Sequence, residues 1–201
     1  MQITDNLKND ISNAPSWFHD AISIKPNEKI LENVKGKLSY SVWPSSSKNK
    51  NLMIFIHGTG AHKKWWYPIT PQFASYSNVI AVDLPGMGDS GFREKYSIKD
   101  FGECIISIIE KERSDMDIDN ISIIGHSLGG QVAGYVASEK KDLVSNLIMI
   151  DTFIRPPDWD PSENEGGPLR MIKYYPDKTK ILKRFRLLPQ QDCNNDWFVR
   201  Y

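Results

Sequence analysis

The stretch Asn120-Ile-Ser-Ile-Ile-Gly-His-Ser-Leu-Gly-Gly-Gln131 constrains this chain more than any other. Ile121, Ile123 and Ile124, closed by Gly125, read as a short buried strand. Residues 131–140 continue as a helix of small residues. Between them lies Gly125-His126-Ser127-Leu128-Gly129, a G-x-S-x-G pattern. A strand that turns sharply into a helix strains the backbone of its central residue and lifts that side chain clear of the sheet. Glycines two before and two after are required because a Cβ there would strike the adjoining strand or helix. Ser127 then lies at a helix N-terminus, where amide N–H groups and the helix dipole stabilise negative charge. Taken alone, the residues also fit a plain strand–turn–helix whose serine is only an N-cap.

Two further stretches sharpen the reading. Residues 52–56 form an apolar strand running into His57-Gly58-Thr59-Gly60 and then Ala61-His62-Lys63-Lys64-Trp65-Trp66. Residues 79–84 form another, ending in Asp83-Leu84-Pro85-Gly86-Met87-Gly88-Asp89-Ser90-Gly91. These three strand-end motifs, in this order, resemble the α/β-hydrolase superfamily. The likeness is greatest to cofactor-free serine hydrolases of the alpha/beta hydrolase-1 type, with their His-Gly-x-Gly-Ala-His-x-x-Trp-Trp oxyanion loop, and it runs from about Trp17 onward. It implies Ser127 as nucleophile, with the Thr59 and Leu128 amides as the oxyanion hole. It also implies supporting roles: Gly58, Gly125 and Gly129 for close approach, His57 shaping the oxyanion loop, and His126 packing under the elbow.

Composition agrees with one globular core. A chain of 201 residues, 40% hydrophobic, can bury a sizeable interior. Twenty-five acidic and 25 basic residues cancel, which removes the electrostatic case for nucleic acid or a charged membrane surface. Cys104 and Cys193 lie far apart without a C-x-x-C pair, the N-terminus is polar, and no segment nears the roughly 20 apolar residues of a membrane span. A cytoplasmic protein is expected.

In chain order, residues 1–14 read as a polar tail, 15–24 as a short helix, and 28–34 with 37–43 as a hairpin about Lys35-Gly36. After a polar connection come strand 52–57, a helix near 65–75, strand 79–84, helix 97–112 capped by Ser97, strand 121–125, helix 128–140 and strand 144–150. The expected class is therefore α/β: an α/β-hydrolase fold, its sheet mostly parallel with helices on both faces, incomplete at the C-terminal end. The core is expected over residues 1–151 and the start of a cap over 152–201, where prolines and glycines break the pattern. Within the latter, Arg184-Phe185-Arg186-Leu187-Leu188-Pro189 resembles the family's cap sequence. Lys178, Lys180, Lys183, Arg184 and Arg186 read as a solvated helix face.

The family orders its catalytic residues serine, acid, histidine. The four histidines here, His19, His57, His62 and His126, all precede Ser127. A serine hydroxyl is a weak nucleophile without an adjacent base. The sequence thus leaves two readings: part of a longer hydrolase, or a hydrolase-like protein that has lost its base. Asp151, at the end of strand 144–150, is the one acid in view, though more of the family take theirs from the following strand. Asp83 and Asp89 read as holding their own turn by side-chain to backbone hydrogen bonds. Gly86-Met87-Gly88-Asp89-Ser90-Gly91 fits G-x-G-x-x-G, but a charged turn precedes the helix and the residues about 20 positions on, near 111, fall inside that helix and not at a strand end, so dinucleotide binding is not expected. No cofactor is expected, and no metal, since no ligand cluster has the right spacing.

The function expected is acyl transfer to water on an ester, thioester, lactone or activated C–C bond. The elbow serine sets it apart from the dehalogenase and epoxide-hydrolase branches, which resemble this fold but use aspartate. Trp65, Trp66 and Trp159 suggest a small apolar acyl or ester substrate. The alternative is a non-catalytic small-molecule binder. An apolar strand at 144–150 left without a neighbour would be an edge for self-association.

Overall fold

A computed structural model describes residues 11–33, 36–47, 49–154, 180, 195, 197, 198 and 201. In chain order it contains α1 (Ser16–Ser23), β1 (Asn27–Asn33), β2 (Gly36–Trp43), β3 (Asn51–Ile56), β4 (Asn78–Val82), α2 (Ile98–Met116), β5 (Asn120–His126), α3 (Leu128–Glu139) and β6 (Val144–Ile150). Between β3 and β4 lie two 3-10 turns, Lys63–Trp66 and Thr70–Phe73, in place of the single helix expected near 65–75. Pro68 and Pro71 explain the difference, because each removes an amide donor that a continuous helix would use. The expected basic segment around 178–186, Cys193 and Trp159 lie outside the described residues, Lys180 excepted.

The chain divides into two compact units, 20–155 and 1–19 with 156–201. In the second, the Phe18 ring is fully buried and packs edge-on to Trp197 at 4.6 Å and Tyr201 at 5.7 Å between centroids.

The first unit is a six-stranded sheet in the order β1-β2-β4-β3-β5-β6. The first hairpin is antiparallel to its neighbours, and β4, β3, β5 and β6 run parallel. Apolar strands without alternation need cover on both faces. On one face, Leu52, Ile54, Ile56, Ile121 and Ile123 are sealed by Phe101, Ile105, Ile108 and Ile109 of α2 and by Val132, Ala133 and Val136 of α3. Helix α2 begins where expected: Ser97 is its N-cap, accepting a hydrogen bond from the Asp100 amide. It ends at Asp117, which adopts a left-handed φ of 53°. On the other face Phe55, Val79, Ala81 and Ile124 pack with Trp43, Trp66 and Tyr67. Among the described residues β6 is paired on one side only, and Leu147, Ile148 and Ile150 are 41%, 48% and 42% exposed.

Register carries the site. Ile56 of β3 pairs with Gly125 of β5, and His126 pairs with Ile150 of β6. The three loops leaving β3, β5 and β6 therefore emerge side by side at the carboxyl edge of the sheet, where parallel sheets gather their ligands.

One buried ion pair ties the hairpin to α2. The Glu112 carboxylate is wholly buried, receives both Lys29 Nζ at 2.8 and 2.9 Å and Tyr40 OH at 2.7 Å, and has no other ion-pair partner among the described residues. Burial and this carboxylate together push the Tyr40 phenol well above its usual range. Lys29→Met strands that charge and should lower stability by about 3 kcal/mol in urea unfolding. Lys111→Met, which breaks the exposed pair to Asp115, should leave the midpoint unmoved.

Candidate active site

Ser127 sits between β5 and α3 with φ 52° and ψ −117°, a conformation rarely adopted by residues with a Cβ. Its side chain makes no capping hydrogen bond, so the plain N-cap reading fails. The strain is held from the backbone. Ser127 N–H donates to Ile150 O at 2.9 Å, while Ser127 O accepts from Gly130 N–H at 2.9 Å and from Thr152 Oγ1 at 3.3 Å. Both flanking glycines are obligatory. A Cβ on Gly125 would collide with the Gly129 carbonyl, and one on Gly129 would collide with the Ile56 carbonyl.

The loop leaving β3 is pressed against this turn. A Cβ on Gly58 would stand 2.8 Å from His126 Nδ1 and 3.2 Å from Ser127 Cβ. That contact sets residues 58–60 beside the serine. Thr59 and Gly60 are exposed, Gly60 has φ 71°, and the Ala61 amide closes the arch onto Gly58 O at 3.2 Å. Among the described residues, neither the Thr59 nor the Leu128 amide donates a hydrogen bond.

His57 is completely buried below the arch. Leu84 N–H donates to its Nε2 at 3.1 Å, so the proton lies on Nδ1, which donates to Gly58 O at 2.8 Å. Both nitrogens are spent on positioning, and burial lowers the imidazole from its ordinary value. His126 is partly buried; its Nδ1 lacks a partner among the described residues and its Nε2 lies 3.9 Å from Asp151 Oδ2. Asp151 stands at the end of β6 with φ 45° and a side chain 92% exposed. The Trp65 ring is half-exposed and lies 5.6 Å from the His126 ring, whereas Trp66 is buried at the centre of the aromatic cluster beside Phe55.

The glycine-rich turn after β4 wraps a carboxylate. A Cβ on Gly88 would collide with the Asp83 carboxyl group, whose Oδ2 accepts the Asp89 amide at 2.9 Å. Asp83 Oδ1 accepts the Lys63 amide at 2.7 Å. The Lys63 side chain is 2% exposed, and its ammonium meets Ser39 Oγ at 2.6 Å, Asp83 Oδ2 and Asp89 Oδ2 at 3.1 Å each, and Glu28 Oε2 at 3.5 Å. Burial alone would lower this ammonium, but the three carboxylates outweigh it and the net displacement is upward. Neither Lys63 nor Thr152 carries a sequence signal: a lysine beside Lys64 in a loop reads as solvated.

His57 makes stability depend on pH. Its folded form disfavours the proton, while the unfolded chain takes one up below the ordinary value of 6.5. Stability should therefore be full above pH 6.5 and fall as pH drops below it, and His57→Gln should flatten that slope in melts recorded from pH 7.5 to 5.5.

Known proteins resemble this chain in sequence and fold. The model for the alpha/beta hydrolase fold matches residues 51–182. The pimeloyl-[acyl-carrier protein] methyl ester esterase of Pseudoalteromonas atlantica is 30% identical over 140 residues, covering 66% of this chain and 50% of that protein. The soluble epoxide hydrolase of a Corynebacterium species is 33% identical over 104 residues, covering 49% and 34%. Among solved structures, a thioesterase domain from the curacin biosynthetic pathway superposes with a TM-score of 0.57 at 24% identity, covering 71% of this chain and 51% of that one. The epoxide hydrolase CorEH gives 0.56 at 25% identity, covering 70% and 48%. This chain spans about half or less of the length of each of these proteins. With the family model covering well over half of the sequence and the elbow, arch and strand order in place, the chain belongs to the alpha/beta hydrolase fold family.

Proposed function

We propose that this chain carries the nucleophile and oxyanion half of a serine hydrolase acting on a small apolar ester or thioester. What supports this reading is the strained Ser127 backbone with Gly58 packed against its Cβ, next in the chain to Leu128 and Thr59, whose amides donate no hydrogen bond among the described residues. In the reaction, Ser127 Oγ attacks the carbonyl carbon and the two amides hold the oxyanion as the C=O bond opens. The alcohol or thiol leaves, an acyl-serine forms, and water releases the acid. On this reading the proton from Ser127 goes to a histidine contributed by sequence beyond the half of the relatives that this chain spans. Asp151 is the acid on offer at this edge, and Trp65 is the apolar wall.

The relatives' names include an epoxide hydrolase as well as an esterase. Serine favours the ester for a chemical reason. Epoxide opening by a hydroxyl would leave an ether that water does not cleave, whereas acylation leaves an ester that it does. The second reading, a binder without turnover, draws on the lack of any hydrogen bond to Ser127 Oγ among the described residues.

A fluorophosphonate probe separates the outcomes. The chain should label slowly at Ser127 and cleave p-nitrophenyl butyrate roughly 10³-fold faster than water, since the oxyanion site acts without the base. Ser127→Ala should abolish both. An adduct on another residue, located by mass spectrometry, would sink the serine reading; no hydrolysis with ligand binding retained would establish the binder. The exposed β6 edge is proposed as a surface for self-association, so light scattering should show dimers that Ile148→Lys disperses.

A further inference from the structure

The arch that carries Thr59 is pinned at its two ends to adjacent residues just past β4, Leu84 and Asp83. At its start, His57 Nε2 accepts the Leu84 amide at 3.1 Å while Nδ1 holds the Gly58 carbonyl at 2.8 Å. At its far side, Lys63 is attached to Asp83 twice, by its own amide to Oδ1 at 2.7 Å and by its ammonium to Oδ2 at 3.1 Å. Only residues 58–62 lie between these anchors, and within them one hydrogen bond, Ala61 N–H to Gly58 O at 3.2 Å, shapes the turn. The position of the Thr59 amide is thus fixed relative to the end of β4, and through Gly58 relative to Ser127.

We infer that Lys63 is a positioning residue for the oxyanion arch, its buried ammonium clamping the loop to Asp83, Asp89 and Ser39 so that the Thr59 amide is held where charge develops.

The chemistry of the site suits a clamp better than a plain surface ion pair. Three of the ammonium's partners are charged, so its three protons are all usable and its charge is neutralised within the fold. Glu28 is itself held by Ser41 Oγ at 2.8 Å and by Tyr67 OH at 2.5 Å, which extends the tie from the arch back to β1 and β2. Ser39 shares its strand position with the turn: its amide donates to Ser90 Oγ at 2.8 Å, and Ser90 Oγ donates to Asp83 O at 2.7 Å. Removing the ammonium would leave the Asp83 carboxylate, 2% exposed, with the Lys63 and Asp89 amides but without its buried cation. The arch would then be anchored by the Lys63 amide alone at its far end.

This rests on the serine-hydrolase reading for its catalytic meaning but not for its structural test. In the purified 201-residue chain, Lys63→Met should speed hydrogen exchange of the Ala61, residue-63 and Trp65 amides roughly tenfold, as expected for loss of a charge-assisted tie, while amides of β5 and α3 keep their rates. Labelling of Ser127 by the fluorophosphonate should slow about tenfold in kinact with KI unchanged, because the arch acts on the developing oxyanion rather than on the probe's alkyl chain. Lys63→Arg should recover part of both, and Lys64→Met, at the exposed neighbour, should change neither. Should Lys63→Met fail to fold, Asp89→Asn removes one partner whose side chain is 65% exposed and should move exchange and kinact in the same direction by a smaller factor. Unchanged arch exchange in Lys63→Met, or in Asp89→Asn where that variant stands in, overturns the inference, as does a rise shared equally by β5 and α3. Failure of the unmodified chain to label at Ser127 defeats the hydrolase reading instead, with the exchange result still deciding the clamp.

Discussion

At two points backbone approaches backbone too closely for any side chain, once within the β5–α3 turn and once between that turn and the end of β3. Gly125 faces the carbonyl of Gly129, and Gly129 faces the carbonyls of Ile56 and His57. Everything at the carboxyl edge follows from that contact. It brings the first turn of α3 against the end of β3, forces Ser127 into the left-handed half of φ, and leaves its hydroxyl uninvolved in capping. Holding a residue with a Cβ there costs about 1–3 kcal/mol. The Ser127 amide donates to Ile150 O and its carbonyl accepts from the Gly130 and Gln131 amides and from Thr152 Oγ1; these four hydrogen bonds contribute about 1 kcal/mol each and are sufficient to offset it. Two of these involve Ile150 at the end of β6 and Thr152 two residues beyond it, so β6 is part of what sustains the strain.

The second constraint is electrostatic. Around the loop after β3 the interior holds Lys63 and Asp83, with Asp89 and Glu28 half in solvent. A buried pair adds little net stability compared with apolar residues of the same volume. What it adds is geometry. Asp83 can satisfy the Lys63 amide, the Lys63 ammonium and the Asp89 amide together only in one arrangement of the arch and the glycine turn. Gly88 at φ 55° is needed for the same reason, since the carboxylate occupies the space of its missing side chain.

This accounts for what was legible in the sequence. Strand positions could be read because the β3, β4 and β5 residues are apolar and β-branched and are buried on both faces, and the start of α2 because Ser97 has an acceptor role three residues ahead. The elbow could be read because steric exclusion at fixed offsets demands glycine, and glycine is visible. The region of 65–75 was not legible as two 3-10 turns, because the aromatic run looks helical until Pro68 and Pro71 are weighed as lost donors. Trp66 reads as a pocket residue beside Trp65, but the third of a turn between them sends Trp66 into the core and leaves Trp65 half-exposed. Lys63 was invisible for a different reason. Its burial depends on Asp83, Ser39 and Glu28, which lie 20, 24 and 35 positions away in the chain, and no local pattern records such a convergence.

The two constraints meet at Gly58. Its α-carbon touches the elbow on one side, where a Cβ would lie 3.2 Å from that of Ser127, and its carbonyl is held by His57 on the other. His57 is in turn fixed by the Leu84 amide, adjacent to Asp83. The steric contact and the buried charges therefore act on one peptide from opposite directions, and neither alone would fix it. A neutral His57 is required for this, since a protonated Nε2 would become a donor facing the Leu84 donor. Burial, by disfavouring that proton, keeps the imidazole in the form that accepts. The arch is thus held in one geometry by the fold itself, which, on the proposed serine-hydrolase reading, is the condition under which fixed amides stabilise an oxyanion without reorganising as it forms.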